Sequence, residues 1–73
     1  MGRLGVFTAK EVIRRLGKLG FLFERQGANH TIYIHPSTQR TAAVPRHSGD
    51  LKEKTLRDIL KRAGISEAEF LAL

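Results

Sequence analysis

The spacing of apolar residues changes twice along this chain, and that leaves few folds open. Between Thr8 and Leu19 they recur at helical intervals (Val12, Ile13, Leu16, Leu19), and from Phe21 through Val44 the pattern is that of strands. At Leu56, Ile59, Leu60 and Ala63 the helical interval returns. The pattern predicts a helix, a sheet and a second helix. With 73 residues there is room for one core, since so short a chain buries only about 60% of its unfolded surface. Residues 1–73 are therefore expected to form one domain. No cysteine is present, which excludes a disulfide framework, a thiolate nucleophile and Cys-type zinc ligation. Stability must come from packing and helix capping, and a reducing, cytoplasmic location is expected.

The element boundaries follow from local chemistry. Thr8-Ala9-Lys10-Glu11 has the form of a capping box that opens the first helix, and Gly20 is placed to end it. Lys10, Arg14 and Lys18 form a basic stripe off the apolar face, more often a solvated surface than a nucleic-acid track. Phe21 to Gln26 reads as a strand, Gly27-Ala28-Asn29 as a turn, and His30 to His35 as a second strand ended by Pro36. After the turn Pro36 to Arg40, Thr41 to Val44 makes a third strand that Pro45 terminates. Arg46 to Asp50 reads as a polar loop, Gly64 as the stop of the second helix, and Ser66-Glu67-Ala68-Glu69 as the capping box of a short third. The predicted fold class is α+β: a two-layer α-β-β-β-α sandwich with a short C-terminal helix, both main helices lying on one face of a three-stranded antiparallel sheet.

Thirteen Lys and Arg against seven Asp and Glu give a net charge of +6, with 27% of residues charged. The excess is one of sign and favours an anionic partner: nucleic acid, an acidic protein or an anionic surface. No stretch approaches the roughly 18 apolar residues of a membrane span, so no membrane role is expected.

The α-β-β-β-α order on a basic chain resembles the double-stranded-RNA-binding fold. Short motifs sharpen this. Residues 27–36 (GANHTIYIHP), then 44–51 (VPRHSGDL) and 54–61 (KTLRDILK), resemble the HicA family of toxins, with the likeness covering nearly the whole chain. The resemblance implies an RNA-cleaving toxin of a bacterial toxin-antitoxin pair, acting on mRNA and neutralised by a HicB-type antitoxin. It also implies that His30 is the catalytic residue, since the family's histidine opens the second strand. The family's usual Gly-Ser before that histidine is Ala28-Asn29 here, and Asn29 is then the side chain available to orient the histidine or a phosphate.

Such chemistry requires no cofactor. RNA carries its own nucleophile in the 2′-OH; a base must take that proton, an acid must serve the leaving 5′ oxygen, and cations must meet the charge on phosphorus. A neutral histidine suits the base, and one positioned base typically contributes about 10² to 10⁴ in rate. Arg46, Lys52, Lys54 and Arg57 are the phosphate-binding candidates, with the start of the second helix as the expected phosphate site. His30 has the parity of Ile32 and Ile34, taken as the helix-facing side, whereas Tyr33 has the opposite parity and is either a base-stacking or simply an exposed sheet aromatic. His47 is either the acid or a turn cap, and His35 reads as a strand-end surface residue. Three histidines without Cys or acidic companions form no recognised zinc pattern. The apolar residues are accounted for by one core, so the free chain is expected to be monomeric. A non-catalytic RNA-binding module and an adaptor for an acidic protein are the competing functions that the same charge supports.

Overall fold

A computed structural model describes residues 4–46 and 49–73. A two-residue strand, β1 (Phe7–Thr8), runs straight into helix α1 (Ala9–Lys18). Thr8 is its N-cap, in extended conformation, with Oγ1 accepting the Glu11 N–H at 3.1 Å. The reciprocal half of the capping box is replaced: the Glu11 carboxylate instead accepts from Arg14 and from Arg15 Nε, the latter at 2.9 Å. Gly20, at φ +97°, turns the chain out of the helix. Three strands follow, β2 (Leu22–Gln26), β3 (His30–Ile34) and β4 (Thr41–Pro45), an antiparallel meander with β3 in the middle. Then come β5 (Asp50–Leu51), α2 (Glu53–Ala63) and α3 (Glu67–Leu71). Gly64 ends α2 in the left-handed region at φ 73°, and Ser66 and Glu69 complete both halves of the last capping box.

The expected α+β architecture is present, with one addition. β5 pairs antiparallel with β1, Phe7 opposite Leu51 and Thr8 opposite Asp50, so Asp50 belongs to a strand rather than to the polar loop. This short ladder ties the segment before α1 to the segment before α2. The Leu4 N–H donating to Glu53 Oε2 at 3.2 Å adds a second tie.

Both main helices lie on one face, as expected. The core joins Val12 and Leu16 of α1 and Leu56, Ile59 and Leu60 of α2 to Ala42 and Val44 of β4, with α2 lying along β4. Register carries this face across the sheet. Thr31 pairs with Val44 and Tyr33 with Ala42, whereas His30, Ile32 and Ile34 pair with Pro45, Ala43 and Thr41. Directly paired residues share a face, so Tyr33 faces the helices and packs against the core. His30, Ile32 and Ile34 occupy the opposite face. Two expectations are thereby corrected: the parity grouping of His30 with the isoleucines is right, but their side is the open one, and Tyr33 is no open-face platform. The side is set by α2, which lies along β4 and covers the face of Ala42 and Val44, the face that the register continues into Thr31 and Tyr33.

α3 is fastened through Arg15. Its guanidinium lies 4.9 Å from the Phe7 ring centre and 5.2 Å from that of Phe70, and Nη1 donates to the Phe70 carbonyl at 2.8 Å. Phe70 is fully buried and meets Phe7 edge-on at 5.1 Å.

Candidate functional site

His30 opens β3 at the tip of the β2–β3 hairpin and is exposed, as is Asn29. The turn carrying it is closed by the Gly27 N–H donating to the His30 carbonyl at 2.7 Å. A second strand reaches the same turn: His30 pairs with Pro45, which places Arg46 beside Asn29, and the Arg46 N–H donates to the Asn29 carbonyl at 2.9 Å. The Arg46 side chain continues the contact. Nη1 donates to the carbonyls of Gly27 at 3.0 Å and Ala28 at 3.3 Å. With the Gln26 amide oriented so that its oxygen faces the guanidinium, that oxygen accepts from Nη2 at 2.9 Å and Nη1 at 3.1 Å. Among the described residues no side chain hydrogen-bonds the His30 imidazole, and the residue is exposed.

His30, Asn29 and Arg46 are therefore brought together, and Gln26 joins them although its sequence position gave no sign of it. The signal lay in the register, because pairing His30 with Pro45 forces residue 46 against the turn. The other candidates are placed elsewhere. Lys52 is the N-cap of α2 with no side-chain cap hydrogen bond, and both Lys52 and Lys54 are exposed at its first turn. The start of this helix already holds a carboxylate, Glu53, whose Oε2 accepts from Leu4 N–H and, at 2.9 Å, from Arg57 Nη2. Arg57 also donates from Nε to Glu67 Oε2 at 3.1 Å, and this hydrogen bond to Glu67 holds its pKa above the ordinary guanidinium value. Its guanidinium thus bridges α2 to α3. His47 lies outside the described residues.

His35 has a structural task. Its Nδ1 accepts the N–H groups of Ser37 at 3.2 Å and Thr38 at 3.4 Å, while its ring stands edge-on to Phe21 at 5.3 Å. It also lines a cavity of about 180 Å³ with Leu19, Phe21, Ala63, Ile65 and Glu69. This hollow sits at the far end of β3 from His30, about 17 Å along a five-residue strand. The hollow is therefore remote from His30, which does not line it. Burial pushes the Tyr33 phenol above its ordinary pKa, consistent with its helix-facing side. Among the described residues no cluster of three or more His, Asp or Glu has metal-site geometry, and no helix is long and apolar enough to cross a membrane.

The protein family described as "HicA toxin of bacterial toxin-antitoxin" matches residues 9–65. That span runs from the start of α1 past the end of α2 and contains the whole hairpin with His30. No curated protein matches the sequence.

Proposed function

The chain belongs to the HicA toxin family, and from that premise we propose that it is an endoribonuclease that cleaves mRNA in the cytoplasm and halts translation, with His30 as the catalytic residue. The observation that supports this is the placement of His30: exposed at a hairpin tip, on a turn held from two strands. In this mechanism the neutral imidazole takes the proton of a ribose 2′-OH. The freed oxygen attacks the adjacent phosphorus, the bond from phosphorus to the 5′ oxygen breaks, and that oxygen takes a proton from an acid. The products are a 2′,3′-cyclic phosphate and a 5′-hydroxyl, with no oxidant or bound metal consumed. His47 is the candidate acid. Lys52 and Lys54, exposed at the first turn of α2, are candidates for neighbouring phosphates, and Asn29 for the one beside His30.

The family places this chain in a toxin-antitoxin pair, so a cognate antitoxin is its partner. We assign a HicB-type protein to that role, acting by covering His30; a complex that leaves His30 open to RNA contradicts the assignment.

The test is cleavage of a labelled single-stranded RNA in excess EDTA, with His30→Ala run beside wild type and its fold checked by circular dichroism. Cleavage by wild type that disappears in the folded variant supports the proposal. RNA binding without cleavage in either protein favours a non-catalytic binding module. Four phosphate contacts then predict a log-log salt slope of about −3. Equal cleavage by both removes His30 from the reaction.

A further inference from the structure

We propose that Arg46 is the positioning residue of the His30 turn, setting the imidazole for reaction rather than binding substrate phosphate. This rests on the ribonuclease reading of His30. Two sets of contacts carry it. Through its backbone N–H, Arg46 holds the Asn29 carbonyl at 2.9 Å, and through its guanidinium it gathers the Gly27 and Ala28 carbonyls at 3.0 and 3.3 Å. Every residue of the three-residue turn between β2 and β3 thus gives its carbonyl to Arg46. The Gln26 amide oxygen, 2.9 Å from Nη2, anchors the same guanidinium to β2.

Without that clamp the turn is soft. It contains a glycine, all its residues but Gly27 are exposed, and its only other described closure is the Gly27 to His30 backbone bond. His30 is the next residue after the turn, so a shift of Asn29 moves the imidazole with it. Arginine suits this task for a geometric reason. Its planar fork presents five donors in fixed directions, enough for carbonyls that diverge around a bend, whereas a lysine ammonium is a point charge on a flexible stem. Nη1, the atom that gathers the turn carbonyls, is also within 3.1 Å of the Gln26 amide oxygen, so this part of the guanidinium is committed to the turn and to β2.

Arg46→Lys separates position from charge. The variant is compared with wild type, His30→Ala and Gln26→Ala for single-turnover cleavage of a labelled single-stranded RNA at saturating protein, for RNA affinity across a salt series, and for the NMR signals of the His30 ring and the Gly27 and Asn29 amides. A reacting group misplaced by about 1 Å loses up to about 10²-fold in rate. The expected result for Arg46→Lys is a fall of about 10- to 100-fold in rate at saturation with affinity within about threefold of wild type. The His30 ring signals should move and amide exchange in the turn should quicken, with Gln26→Ala shifting the same signals less. The proposal is overturned if the rate at saturation holds while affinity falls and, in Arg46→Ala, the salt slope drops by about 0.7, the mark of one lost phosphate. It is equally overturned if turn amides and ring signals are unchanged. Should wild type prove inactive or His30→Ala remain active, the ribonuclease reading fails by itself, and the NMR signals alone then decide whether Arg46 holds the turn.

Discussion

Replacing Gly20 by alanine tests a packing relation that joins a backbone angle to a side chain across the fold. Gly20 sits at φ +97°, and a Cβ built there falls 2.9 Å from His35 Nε2 and 3.3 Å from its Cδ2. The alanine therefore carries two costs. The backbone conformation is worth about 1–3 kcal/mol of strain for a residue with a Cβ. The imidazole must also move, and it is not loose: moving it weakens two backbone hydrogen bonds to Nδ1, each worth about 0.5–1.5 kcal/mol net at most, and an edge-on contact with Phe21 of similar size. Since the turn is exposed, the low end applies, and the steric part is about 1–2 kcal/mol. Gly20→Ala should thus lose about 3 kcal/mol in total, a large share of the roughly 4–11 kcal/mol that a chain this short commands. The assay is a double-mutant cycle by urea denaturation with His35→Ala. In the His35→Ala background the ring is gone, and Gly20→Ala should cost only the backbone part, so the two substitutions are non-additive by about 1–2 kcal/mol. Equal costs in both backgrounds would refute the reasoning, because the ring would then not stand where Cβ must go.

Three further outcomes are expected. Val44→Ala, on the helix-facing side of β4 at 1% exposure, should cost about 2 kcal/mol in urea denaturation, while Ile34→Thr on the open face should cost less than about 1 kcal/mol; the reverse order would return His30 to the helix side. Phe70→Ala should cost about 3–5 kcal/mol and leave little folded protein at 37 °C, whereas Phe70→Leu should remain folded with a Tm lower by roughly 5–15 °C; a thermal melt followed by circular dichroism decides. Hydrogen bonds first from Arg14 and then from Arg15 hold the Glu11 carboxyl down at about 2 from an ordinary 4.5. Because the folded value is the lower one, this contribution is complete above pH 4.5 and fades as pH falls toward 2. Wild type should therefore lose its advantage over Glu11→Gln across that interval in a urea series, and a constant difference would show that the pairs do not form in solution.

How much of this was legible beforehand depended on the range of the interaction. Thr8 and Ser66 announced their helices because a cap acts over three residues, and Gly20 and Gly64 announced the ends because a positive φ is a local demand. β1 and β5 were invisible: two residues cannot display a period, and their pairing depends on bringing Phe7 to Leu51 across the fold. Parity correctly grouped His30 with Ile32 and Ile34, yet period two names the members of a face without saying which face the helices cover. That choice was made by α2 lying along β4, a long-range packing event. At the candidate site, His30 and Arg46 were legible as residue types near one another, but the direction of the guanidinium, into the turn carbonyls, was not. The helix start expected to receive phosphate illustrates the same limit, because the contacts that Glu53 makes there, with the Leu4 N–H and Arg57, depend on bringing the N-terminal segment to α2.

The chain has one tyrosine and no tryptophan, so the helix-facing side of β3 is also where its ultraviolet emission originates. Tyr33 stands edge-on to the ring of Phe23 at 6.1 Å and against the core. Its fluorescence therefore works as a built-in gauge of whether the helix layer is seated on the sheet. Because the phenol faces away from the side that carries His30, the gauge reports on the seating of the helices rather than on changes at the hairpin tip.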